Sequence, residues 1–178
     1  MSNNIKVFVR VRPQIARETS SSCLSVQTDA KSLLVSSTAN SSDTSREFTY
    51  DGVFDPTTQQ QQVFQAVGQD LTMDCLEGFN TTIFAYGQTG SGKSYSMMGY
   101  GEDKGIIPRA VAKIFDRISD TADATTTYHV ECSMLEIYNE QIRDLFSSVP
   151  RNKMAKGGLK VRDSAATGPF VMGLTKNA

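Results

Sequence analysis

Apolar and polar positions along the chain follow two periods in turn, first two residues, then three to four. Ile5, Val7, Val9 and Val11 alternate with Lys6, Phe8, Arg10 and Arg12, a strand pattern that Pro13 stops. The Ser/Thr/Asn-rich run at 36–45 predicts a loop or mobile hairpin tip, and 48–54 a further strand ended by Asp55 and Pro56. From 59 to 77, Val63, Phe64, Val67, Leu71 and Cys75 keep helical spacing and Gly78 supplies a stop; the run Gln59 to Gln62 reads as the first turn. Residues 81–86, TTIFAY, predict a buried strand that runs into glycine-rich sequence. A second helix follows, broken at 99–105 and resuming at Pro108 with Val111, Ile114, Phe115 and Ile118 on one face. After a polar loop at 119–127, residues 128–138 predict a long strand whose slip at Met134-Leu135 implies a bulge or burial on both faces. A basic loop at 147–158 leads to a last strand at 159–162. Strands alternating with helices predict an α/β layered fold, and no internal repeat is visible.

Composition narrows the function. The 178 residues suffice for one domain with a core; 39% are apolar, 21% charged, and the net charge is −1. No global basic field argues for nucleic acid or an anionic membrane, and the apolar runs are too short for a transmembrane segment. The N-terminus lacks a signal-peptide core, since Arg10 and Arg12 interrupt it. Cys23, Cys75 and Cys132 are scattered and odd in number, which points to a reducing cytosol rather than a disulfide framework or metal site. The single histidine, His129, has no neighbours for zinc or triad chemistry and reads as structural or solvent-facing.

One motif carries chemistry. Gly87, Gln88, Thr89, Gly90, Ser91, Gly92, Lys93 and Ser94 fit G-x-x-x-x-G-K-[ST] between an apolar strand and a helix. Glycines allow backbone conformations that turn successive N–H groups inward around an anion, and the following helix points its positive end at phosphate. Lys93 would add a full charge on the β- and γ-phosphates, and the Ser94 hydroxyl would ligate Mg²⁺. Such machinery also needs a strand-terminal carboxylate. Glu136 is the downstream candidate by position, and a polar residue at a strand bulge is the other reading of it.

At this point the residues resemble one family. AYGQTGSGKSYSMMG at 85–99 is similar to the kinesin P-loop segment. Arg10-Val11-Arg12-Pro13, Gly105-Ile106-Ile107-Pro108-Arg109, and LEIYNE at 135–140 followed by Ile142-Arg143-Asp144-Leu145 resemble three further kinesin motifs in family order. The resemblance implies an α/β P-loop NTPase, with a kinesin-like central mixed sheet flanked by helices and incomplete on the C-terminal side. It implies that Arg10 and Pro13 flank an adenine with Tyr95 stacking on its other side, and that residues 88–94 hold the phosphates of ATP or ADP and Mg²⁺. It also implies that Glu136 lies away from the metal. Residues 158–174, with Gly168-Pro169-Phe170-Val171, look most like the vesicle-transporting, axonal-type branch, where Lys160 and Arg162 would sit at a tubulin contact; two solvated charges on an edge strand are the alternative.

The expected whole is a microtubule-stimulated ATPase motor of the cytoplasm and microtubule cytoskeleton, of which residues 1–178 form the N-terminal part. The family domain is roughly twice this length. N-x-x-S-S-R-S-H and D-L-A-G-S-E, its γ-phosphate switches, do not occur in these residues, nor do three strands that lie between those present. Unpaired buried strand edges cost about 1–3 kcal/mol per orphaned group, enough to exceed the roughly 5–15 kcal/mol stability of a domain. The 178 residues alone are therefore expected to aggregate or remain partly unfolded. Two other functions compete: a non-catalytic tubulin- or nucleotide-binding half-motor, and a P-loop phosphotransferase, which would need an arginine-rich lid not visible here.

Overall fold

The computed structural model describes residues 5–18, 22–36, 45–121, 125–149, 157–166 and 168–177. They fall into two units, Met1–Thr121 and Ala122–Ala178.

In the first unit the alternating N-terminal segment forms β1 (Phe8–Arg10), parallel to β5 (Gly52–Phe54) with Arg10 opposite Phe54. Bonds from Asp51 N–H to the Val7 carbonyl and from Val11 N–H to the Phe54 carbonyl continue the pairing at both ends. Phe8 stacks on Phe54 at 5.9 Å. Gly52 permits this, since a Cβ there would stand 2.8 Å from the Phe8 ring. Between these strands lies an antiparallel meander of β2 (Leu24–Gln27), β3 (Ser32–Ser36) and β4 (Ser45–Thr49). The sequence pattern missed β2 and β3, whose apolar alternation is short and interrupted by serine. Ser36 pairs with Ser45, so the expected hairpin is present, although residues 37–44 of its tip lie outside the described residues.

The single strand expected at 48–54 is two strands with a corner. Tyr50 N–H donates to Lys31 in the meander, while the next residue, Asp51, donates to Val7 beside β1. Likewise the helix expected at 59–77 is α1 (Gln60–Val67) and α2 (Gln69–Leu76), bent at Gly68, whose φ of −107° leaves the helical range. A Cβ at Gly68 would meet the Phe64 ring at 2.8 Å and Ile106 Cγ2 at 3.3 Å, so the bend packs where a side chain would not fit. Gly78 ends this region as expected, at φ +95°.

The largest departure is at 81–86. The segment is extended but makes no backbone ladder with any described residue, and Phe84 and Tyr86 are 87% and 95% exposed. A buried strand is buried by its neighbours, and none pairs with it here. Ile83 turns inward, onto a core of Val63, Phe64 and Ile106 that Phe54, Val67, Met97 and Ala110 complete. Beyond the glycine-rich loop come α3 (Lys93–Met97), a hairpin of β6 (Gly99–Tyr100) and β7 (Asp103–Lys104), and α4 (Ile106–Thr121). The helical break expected at 99–105 is thus a hairpin. The helix resumes at Ile106, two residues before Pro108, whose missing N–H costs nothing in a first turn. α4 also takes in the start of the expected polar loop, of which 122–124 lie outside the described residues.

In the second unit the long strand expected at 128–138 is paired only over β8 (Leu135–Tyr138), which forms a hairpin with β9 (Gln141–Asp144). Asn139 and Glu140, at φ +48° and +60°, make the left-handed turn that matches strand twist. Upstream, a single bridge joins Cys132 to Asn177. Leu145 N–H donates to the Met134 carbonyl next to the Leu135–Asp144 pair, so the register runs through without a bulge, and Tyr128, Val130 and Met134 are exposed, so two-sided burial does not explain the slip either. Buried Asp144 accepts from the N–H groups of Thr175, at 2.8 Å, and Phe146, at 2.9 Å. The Thr175 side chain first, then these backbone bonds, hold its carboxyl below the ordinary range. β10 (Lys160–Ser164) pairs antiparallel with β11 (Gly168–Met172), extending the last expected strand, while residues 150–156 of the basic loop lie outside the described residues. The whole is a mixed α/β fold. Among the described residues no helix is long and apolar enough to cross a membrane.

Candidate functional site

Residues 87–94 join the extended segment 81–86 to α3. Gly90 and Gly92 hold φ of +82° and +99°, left-handed backbone that glycine adopts without strain. Gly87, at φ +151°, shares that need, and a Cβ there would in addition stand 2.6 Å from Ser91 Oγ. Ser91 N–H donates to the Gln88 carbonyl at 3.1 Å and Ser96 N–H to the Gly92 carbonyl at 2.9 Å, which closes the loop onto the helix. α3 is only five residues long, so the individual N–H groups of this loop matter more than a summed helix dipole. Lys93 Nζ folds back over the loop, donating to the carbonyls of Gly87 at 2.8 Å and Gln88 at 3.0 Å. Thr89 and Ser94 are exposed, and the Ser94 hydroxyl has no hydrogen-bond partner among the described residues.

Beside the loop, Arg10 of β1 spends three of its five N–H donors on protein. Its Nη1 donates to Gln60 Oε1 at 2.7 Å and to Ser96 Oγ at 3.0 Å, and its Nη2 to the Thr58 carbonyl at 3.1 Å. The guanidinium also lies 5.0 Å from the centre of the Tyr95 ring. Tyr95 donates its hydroxyl proton to Asp103 on β7 and stacks on Tyr100 at 6.0 Å. The bond to Asp103, followed by burial, raises the Tyr95 phenol above its ordinary range. Pro13 is exposed, and it lines the same groove as Arg10, Tyr95 and Lys93, a space of about 970 Å³. A ring inserted between Arg10 and Tyr95 would need about 7 Å, twice a carbon contact distance. At 5.0 Å the two present one joined surface rather than opposite walls of a slot.

Arg12, also on the groove, holds Glu18 with both terminal guanidinium nitrogens, at 2.8 Å from Nη1 to Oε2. Glu18 accepts a further bond from Ile15 N–H at 3.0 Å. The Arg12 bond first, then that of Ile15, hold the Glu18 carboxyl down at about 2.

Sequence reasoning missed Gln60, Thr58, Ser96 and Asp103. For Gln60 a signal existed: with Val63, Phe64 and Val67 it stands at i, i+3, i+4 and i+7, so one glutamine of the run faces the core. The side-chain chemistry of the other three is generic, and only the fold brings them to Arg10 and Tyr95. In the second unit Glu136 faces Arg143 across the hairpin at 3.2 Å. Lys160 and Arg162 are exposed at alternate positions of β10, and His129 is exposed beside Glu131 at 3.5 Å. Cys23, Cys75 and Cys132 are free and exposed.

Fold and loop together define a P-loop protein of mixed α/β architecture. Residues 10–178 match the kinesin motor domain family, and the chain belongs to that family. It is 41% identical over 195 residues to kinesin-related protein 1 of Dictyostelium discoideum, covering 98% of this chain and 9% of that protein. To human KIF1C it is 40% identical over 188 residues, covering 98% of this chain and 16% of the relative. KIF1-type relatives bear out the branch read from residues 158–174. Among solved structures it is similar to a KIF14 dimer in a two-heads-bound state with AMP-PNP on a microtubule, at TM-score 0.88 and 35% identity over 99% of this chain. KIF14 with ADP on a microtubule gives TM-score 0.86 and 35% identity over 98%. The chain spans 50% of each of those structures and a smaller share of the curated relatives.

Proposed function

We propose that these residues are the ATP-binding, N-terminal part of a motor head that hydrolyses ATP to move along microtubules in the cytoplasm. The observation that carries this reading is the cradle at 87–94, in a chain of this family, with Lys93 already poised over the loop's carbonyls. Gln88 to Ser94 would take the phosphates, and Arg10, Pro13 and the Tyr95 side of the groove the base. The two similar KIF14 structures, which hold AMP-PNP and ADP on microtubules, support the same ligands and partner for this chain. Mg²⁺ would fit the exposed Ser94 hydroxyl, which has no hydrogen-bond partner among the described residues, and would supply positive charge beside the phosphates. Lys93 would move from the loop's carbonyls to the phosphate oxygens and stabilise charge that builds there as water attacks the γ-phosphate. Lys160 and Arg162, exposed on β10, are proposed to meet tubulin.

The test is ATP turnover with and without polymerised tubulin in a complete motor head that contains these residues, as wild type and as Lys93→Ala. The variant should fall by about 10² or more, as removal of a group that stabilises transition-state charge does. Unchanged turnover in Lys93→Ala refutes the assignment. Nucleotide binding with background turnover, tubulin present or not, would mark a non-catalytic nucleotide-binding module instead.

A further inference from the structure

Gln60 is 1% exposed, and both ends of its amide are used. Its Oε1 accepts from Arg10 Nη1 at 2.7 Å, and its Nε2 donates to the Tyr95 carbonyl at 2.6 Å. Arg10 offers only donors and a backbone carbonyl only acceptors, so the amide has one possible orientation. No carboxylate or apolar side chain of that length satisfies both partners. Ser96, the residue after Tyr95, accepts from the same Arg10 nitrogen at 3.0 Å. Arg10, Gln60, the Tyr95 carbonyl and Ser96 thus form a closed circuit joining β1, the first turn of α1 and α3.

The circuit has a direction. Arg10 lies on the side of the groove assigned to the base, whereas α3 begins at Lys93, on the phosphate side. Nothing covalent holds these two sides in register, since Arg10 and Tyr95 are 85 residues apart. We infer that Gln60 is a positioning residue for nucleotide selectivity: it fixes the Arg10 guanidinium relative to α3, so that base and phosphate contacts are made together. This inference rests on the nucleotide-binding reading above. It assigns Gln60 no contact with nucleotide.

A buried glutamine could also be a simple core plug, and the experiment must separate the two. The measurement is equilibrium binding to the intact protein of ATP and of inorganic tripolyphosphate, which has the phosphates and no base. In the wild type ATP should bind the tighter of the two. In Gln60→Met the affinity for ATP should fall about tenfold, the scale of one hydrogen bond to a charged group, while that for tripolyphosphate stays within about twofold. Because Gln60 acts through Arg10, the double variant Gln60→Met/Arg10→Met should show the same ATP-to-tripolyphosphate ratio as Arg10→Met alone. The double variant also removes the orphaned donors that could unfold Gln60→Met by itself, so it remains decisive if the single variant does not fold. Equal losses for both ligands in Gln60→Met, or a double variant with a lower ratio than Arg10→Met, would overturn the inference and leave Gln60 a packing residue. A wild type that binds neither ligand would overturn the nucleotide reading itself, and this inference with it.

Discussion

Gly78 and Gly99 both hold left-handed backbone, at φ +95° and +75°, yet different constraints act on them. Around Gly78 a Cβ would meet nothing within 4 Å; at Gly99 it would stand 2.0 Å from the Asp103 carbonyl oxygen. Gly78→Ala should therefore cost only the left-handed strain, about 1–2 kcal/mol. Gly99→Ala must in addition push β6 away from β7, and with it the Asp103 carboxylate that Tyr95 uses. Denaturant midpoints of the intact protein should rank Gly99→Ala well below Gly78→Ala, and equal losses would contradict the close approach. The same contrast runs through the cradle, where Gly87, Gly90 and Gly92 all hold positive φ but only at Gly87 would a Cβ also crowd a neighbour, Ser91. A sequence motif gives all three the same letter; only coordinates tell which need each one meets.

At the scale of elements, the loop after β1 is held by one ion pair with a pH signature. Glu18 lies at about 2 in the folded chain against an ordinary 4.5. A carboxyl depressed on folding stabilises fully above its unfolded value and loses that contribution as pH falls toward the folded one. The stability gap between wild type and Glu18→Gln should be constant near neutral pH, shrink below about 4.5 and close near 2. A gap unchanged between pH 7 and pH 3 would mean that Arg12 does not hold Glu18 in solution. Elements themselves were legible where periodicity and punctuation agreed. β1 stops before Pro13, α2 before Gly78, and the interruption of α3 and α4 falls between Gly99 and Gly105. Illegible were features set by partners distant in sequence: the corner at Tyr50 and Asp51, the bend at Gly68 over Ile106, and the missing ladder at 81–86. The cradle could be read residue by residue because it is local. The circuit around Arg10 spans 86 positions from β1 to Ser96, and no window of sequence contains it.

For the whole molecule, the apolar groups left outside matter most. Ile5, Phe84 and Tyr86 are each at least 87% exposed, and Val111 and Phe115 of α4 about half so. Large apolar side chains left in water in this way drive association. The 178-residue chain by itself should bind a hydrophobic dye, lose solubility as its concentration rises, and melt over a broad range. A sharp, reversible, cooperative melt would overturn that expectation. The unladdered segment 81–86 has a mechanical consequence for the cradle it feeds. On the α3 side the loop is bolted down, through Gln60 to the Tyr95 carbonyl and through Arg10 to Ser96. On the other side it hangs from a segment that makes no backbone ladder with any described residue and is anchored to the core through Ile83, so the cradle resembles a cantilever. Stress applied at 81–86 reaches the Gly87 end first and passes to Lys93 through its bonds to the Gly87 and Gln88 carbonyls. Whatever braces that strand thereby sets the stiffness of the grip on phosphate.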